Sequence, residues 1–248
     1  MKKLILIIPI AIVIVFFACT KEKGNSNIQM DFEFEYADQA FEINKVYNYN
    51  FGYEVKFEKV LLYVSNVRFI ESDGTVAEGP EIIFVDASSD NNKVSFEIPE
   101  GNYTRIEFSL GVPESLNGTD NPDFDASLYD QDSPLSLSKG MYWTWNSGYR
   151  FILMDGRTNT DPMVDDVFET LLSIHTGKTY SFRSNGLSLN MNAAKDQTIP
   201  LKLKFNVEGF LNYPDDVIDI AVDNQSHGTN ASLANRLSDN AIKSVQIK

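Results

Sequence analysis

The stretch Met30-Asp31-Phe32-Glu33-Phe34-Glu35-Tyr36 alternates apolar and acidic side chains residue by residue. A period of two puts one set on each face of an extended strand, so these residues can bury their apolar set only in a sheet with one wet side. Runs rich in β-branched and aromatic residues follow at 60–70, 82–85, 94–98, 105–110, 149–154, 168–175, 180–183 and 199–207. Turn-forming clusters such as Ser72-Asp73-Gly74, Pro99-Glu100-Gly101 and Ser184-Asn185-Gly186 punctuate them. Many short strands without regularly interposed helices predict an all-β fold, an antiparallel β-sandwich of barrel-like form with long loops. The longest of those loops, 113–139, is dense in Asn, Asp, Pro and Ser. The spacing of Leu233, Ala234 and Leu237 adds a short C-terminal helix over 231–237.

The N-terminus carries a different message. Met1-Lys2-Lys3 leads into an apolar run over 4–18 that ends at the chain's one cysteine, Cys19, and a polar stretch follows at once. The run is shorter than the roughly 20 apolar residues that a spanning helix needs. A basic start, a short apolar core and a small residue before cysteine are what a lipoprotein signal peptide presents. The division expected is a signal peptide over 1–18, a flexible tether over 19–28 with a lipidated (palmitate-type) Cys19, and one β domain over 29–248. The protein is thereby placed in the bacterial cell envelope, anchored by lipid at the outer membrane on its periplasmic or surface side. With Cys19 acylated, disulfides, cysteine catalysis and thiolate metal sites are excluded from the mature chain.

The formal charge of −14 becomes −16 when Lys2 and Lys3 leave with the signal peptide. Such a chain is repelled by nucleic acid and by anionic surfaces, which excludes nucleic acid as a partner. There is no Gly-x-Ser-x-Gly elbow, no phosphate loop and no His-Glu-x-x-His helix, and no readable set of nucleophile, base and orienting group, so an enzyme is not expected. Only two histidines are present, His175 and His227, and any imidazole chemistry must use them. The segment Gly140-Met141-Tyr142-Trp143-Thr144-Trp145-Asn146-Ser147-Gly148-Tyr149 crowds both tryptophans and a methionine together. On a strand, Met141, Trp143 and Trp145 would share a face, either as a core stripe or as an electron-rich wall beside a ligand or metal.

Several blocks together resemble the MbnP-like lipoproteins, a family named for a periplasmic protein encoded beside methanobactin operons and related to copper-repressible surface proteins of methanotrophs. The blocks are Leu61-Leu62-Tyr63-Val64-Ser65-Asn66-Val67-Arg68-Phe69, Gly101-Asn102-Tyr103 and Leu110-Gly111-Val112-Pro113-Glu114-Ser115-Leu116-Asn117. Further along come Gly140 to Phe151 with Asp155-Gly156 just beyond, and Ile174-His175-Thr176-Gly177. The resemblance implies a β-sandwich and copper binding. It also implies that a tryptophan, here Trp143, is oxidised to kynurenine by a partner dihaem peroxidase and joins a histidine, here His175, at the metal. Family members often carry a histidine on the first strand, where this chain offers Tyr36, and a histidine two residues after the modified tryptophan, where it has Trp145. The candidate copper ligands are therefore His175, Trp143, Met141, His227 and Tyr36. The alternative is a metal-free ligand- or glycan-binding module that uses Trp143, Trp145 and Tyr149.

Overall fold

The computed structural model describes residues 23–119, 121–144, 147–161, 163–164, 167–227 and 230–248. In chain order the principal elements are β1 (Asn25–Tyr36), β2 (Glu54–Glu71), β3 (Ile82–Asp86), β4 (Lys93–Pro99), β5 (Gly101–Leu110), β6 (Tyr142–Thr144) and β7 (Gly148–Asn159). They continue with β8 (Thr170–Gly177), β9 (Arg183–Ala193), β10 (Thr198–Asn206), α1 (Val207–Leu211), β11 (Gln225–His227), α2 (Ala231–Lys243) and β12 (Val245–Ile247). The smaller sheet runs β12-β10-β1-β4. In the larger one, β2 pairs with β7 through residues 54–62 and with β5 through residues 64–71; β9 lies beyond β5, and β8 then β11 lie beyond β7.

The result is an all-β sandwich whose sheets do not close into a barrel, and two of its pairings, β1 with β10 and β8 with β11, are parallel. β1 begins at Asn25, earlier than the alternation places it, so the tether expected over 19–28 gives way to a strand. Its first half is zipped to β4 from Asn25↔Pro99 to Asp31↔Lys93, and Lys23 reaches Glu71 at 2.9 Å. Ser184-Asn185-Gly186 lies inside β9 and is not a turn. Its three residues stand in register with Ser109, Phe108 and Glu107 of β5, and a Cβ at 186 would meet only the movable end of the Arg105 side chain. The C-terminal helix runs six residues beyond its expected end. It is N-capped by Asn230, whose Oδ1 accepts from the Leu233 amide at 3.1 Å, and it buries Leu233, Leu237 and Ala241. Among the described residues no helix is long and apolar enough to cross a membrane.

The period of two divides the larger sheet cleanly. Val60, Leu62, Val64, Ile152, Met154, Leu172 and Ile174 point between the sheets into the main core with Ile28, Met30, Phe32 and Phe205. Their neighbours Leu61, Tyr63, Phe151 and Leu153 point the other way and form a second core with Val112, Ala126, Leu135, Met141 and Tyr149. The segment 111–141 is therefore a cover for the outer face of the larger sheet, and that explains its length: it closes apolar surface that would otherwise face water. Asn117, buried within it, accepts the Tyr149 amide at 2.8 Å, and the Tyr149 hydroxyl donates to the Leu135 carbonyl at 2.7 Å.

Candidate functional site

Ser173 and His175 alternate with the core residues Leu172 and Ile174 on β8, so both face outward beside the second core. Across β7, Asp155 stands opposite Ser173 and Leu153 opposite His175. On the other side, β11 lies parallel and in register, with His227 directly opposite His175. The two imidazoles meet edge to face with ring centroids 4.8 Å apart. The chain has no other histidine.

A bulge completes the arrangement. Arg150 is opposite Gly177 and Leu153 is opposite His175, so β7 carries one residue more than β8 over this span. The extra residue lets Arg150 and Leu153, three apart in sequence, share the outer face, the re-aiming that a bulge permits. The Ile152 amide displaced by the bulge donates to Thr176 Oγ1 at 3.1 Å. Arg150 Nε then reaches His175 Nδ1 at 3.3 Å, Nη1 donates to the Gly140 carbonyl at 3.1 Å, and the guanidinium carbon lies 4.6 Å from the centre of the Trp143 ring. Trp143, half-buried, meets His175 with centroids 5.9 Å apart at an interplanar angle of 62°.

These donors fix the protons. Arg150 can only donate, so His175 Nδ1 holds a lone pair and the imidazole proton sits on Nε2, 2.8 Å from Asp155 Oδ1. The Ser173 hydroxyl donates to the same carboxylate oxygen at 2.7 Å and accepts from His227 Nε2 at 2.9 Å. Burial alone would raise the Asp155 carboxyl. The hydrogen bonds from His175 and Ser173, with the charge of Lys59, outweigh it and hold the group below its ordinary value. His227 is lowered, first by burial and then by the neighbouring His175.

Both shifts act on stability in the same direction. A depressed Asp155 contributes stability that is present above about pH 3.9 and lost as the pH falls through its folded value. For His227, protons bind the unfolded chain more readily below about pH 6.5, so stability is again lost on acidification. Thermal unfolding followed from pH 7 to pH 3 should show a falling melting temperature, and His227→Gln should flatten the upper part of that fall while Asp155→Asn flattens the lower.

Of the residues singled out in the sequence, the structure brings His175, His227 and Trp143 together. Tyr36 is corrected to a packing residue of the main core: it stacks on Tyr47 at 4.3 Å and donates to the Asn48 carbonyl at 3.0 Å, and burial pushes its hydroxyl up. Met141 precedes the short strand β6 and is sealed in the second core, so it shares no wall with Trp143. Tyr149 is sealed there too and offers no platform to a ligand. Trp145 lies outside the described residues. Asp155, Ser173 and Arg150 were not anticipated in these roles. Ser173 could have been found from its spacing of two from His175, whereas Asp155 and Arg150 depend on a hairpin register and a bulge that the sequence does not declare.

Among the described residues no group of three or more His, Cys, Asp or Glu side chains stands ready as a metal centre. The donor chemistry nonetheless suits a borderline cation such as Cu(II): two imidazoles, one carboxylate, and no thiolate or available thioether. Asp155 on the far nitrogen of His175 is the partner that orients and strengthens a metal-binding imidazole.

Comparison with known proteins agrees with the fold. The chain matches, over 75% of its length and 77% of the other's, the structure of MbnP from Methylosinus trichosporium, with a TM-score of 0.54 at 14% sequence identity. No curated protein sequence matches it. The MbnP family model matches residues 25–234, nearly the whole of the described chain. This chain therefore belongs to the MbnP family.

Proposed function

We propose that the protein is a lipid-anchored envelope member of its family that takes up copper as cargo at His175, with His227 as the second imidazole and Trp143 alongside. The observation that carries this reading is the Asp155–His175 pair, which leaves the Nδ1 lone pair on the side of Trp143 while His227 packs edge-on. A half-buried carboxylate holding one nitrogen of a buried histidine fixes its tautomer and ring angle, which packing alone does not call for. The second imidazole that the family resemblance leads one to seek on the first strand, where Tyr36 stands, is supplied here by β11. Trp143 is the residue to which the same resemblance assigns oxidation to kynurenine by a dihaem peroxidase, and its partly open ring beside His175 supports that assignment. The lipid at Cys19 and the outer-membrane location belong to the same proposal and rest on the N-terminal sequence.

Titration of the purified domain with Cu(II) by calorimetry tests it. His175→Ala should remove high-affinity uptake, a loss beyond the roughly 10- to 100-fold that removal of an orienting partner produces, and Asp155→Ala should fall within that range. Copper uptake indifferent to His175 would sink the reading. Intact-mass measurement of protein from its native host should show the kynurenine mass shift, and Trp143→Phe should abolish it.

A further inference from the structure

Asp155 holds the Nε2 proton of His175, so the only lone pair this imidazole offers without breaking that bond is on Nδ1, and Arg150 already donates to it. Arg150 forms no ion pair with a carboxylate among the described residues. The Asp155 carboxylate acts on its charge from beyond ion-pair distance, and the groups in direct contact with it are an imidazole nitrogen, the face of Trp143 and the carbonyl oxygens of Gly140 and Tyr142. Each of these is a group that solvates a cation. The position is therefore a cation site filled by the protein's own guanidinium, and the bulge in β7 is what delivers it there.

We infer that Arg150 is a resident cation that competes with an incoming metal ion for His175 Nδ1, so that uptake requires its guanidinium to leave both the imidazole and the Trp143 ring. The inference rests on the copper reading and deepens it, because it assigns to one residue the control of affinity at that site. Two like charges cannot share one lone pair, and in a half-buried setting their repulsion is poorly screened. Arg150 also covers the Trp143 face, so the ring becomes fully accessible only when the guanidinium moves.

The test is a Cu(II) titration of wild type, Arg150→Gln, Arg150→Lys and His175→Ala, with melting temperatures to verify folding and Arg150→Met as a second uncharged variant of similar length. Arg150→Gln and Arg150→Met should bind Cu(II) at least about tenfold more tightly than wild type, because a like charge is gone. Arg150→Lys, which keeps the charge, should stay close to wild type. In a Trp145→Phe background, Trp143 emission of the metal-free protein should change in Arg150→Gln, and copper should shift wild-type emission in the same direction. Equal or weaker binding by both uncharged variants, with His175 still required, would overturn the competition while leaving the copper reading intact. Uptake that ignores His175 in every variant would remove the copper reading, and this inference with it.

Discussion

Gly156→Ala is expected to destabilise the fold by about 3 kcal/mol or more, at the upper end of what overpacking costs. Between Asp155↔Lys59 and Gly156↔Phe57 the register of β7 on β2 shifts by one residue, with Glu58 as the extra residue on β2. The shift draws the two backbones together, so a Cβ at 156 would overlap the Lys56 carbonyl oxygen and lie 3.0 Å from Phe57 Cα. Both obstacles are main chain and have no rotamer to change. Gly74→Ala is the control: it has φ +88° but no atom within 4 Å of its added Cβ, so it carries only the conformational cost of about 1–2 kcal/mol. If chemical denaturation shows the two variants equally destabilised, the close-approach account of Gly156 is wrong. Because Asp155 is the preceding residue, the same substitution should also disturb the carboxylate that holds His175, and Cu(II) affinity should fall along with stability.

Phe57→Ala should cost about 3–5 kcal/mol, the range for a large aromatic removed from a close-packed core. Phe57 is fully buried and stands among Tyr36, Phe41 and Tyr47, with ring centroids 5.6 to 6.3 Å away. Three aromatic neighbours tied by their own hydrogen bonds and packing cannot collapse into the vacated volume, which places the loss toward the upper end. For a domain of this size each kcal/mol lowers the melting temperature by about 2–4 °C, so a fall on the order of 10 °C is expected by calorimetry. Phe57→Leu, which keeps most of the volume, should cost less than half as much.

The sandwich was legible because 30–36 and 199–207 keep the period that a half-buried strand imposes, while the run over 60–64 is apolar or aromatic throughout because it is buried on both faces. Less legible was everything set by partners distant in sequence. The parallel pairing of β1 with β10 joins Asn27 to Thr198, and no local signal announces it. Ser184-Asn185-Gly186 carries turn chemistry and still sits in a strand, since its ladder with β5 runs through all three residues. Trp143 and His175 could be named in advance because they are rare residue types in unusual company. Arg150 and Asp155 could not be given roles, because common charged residues acquire meaning only when a bulge and a hairpin register aim them at a ring.

The early start of β1 sets how near the fold begins to the proposed anchor. With the proposed lipid on Cys19, five residues separate the acyl chains from the first paired residue, Asn25, which lies at the same end of the sandwich as Glu71 and Gly101. Lys59, level with Asp155, is twelve positions back along β2, a rise of roughly 30–40 Å at strand spacing. With its strands standing away from the membrane, the domain would carry the histidine pair clear of the headgroups. In that orientation, a donor or acceptor of the proposed copper cargo would have to project a soluble head to that height.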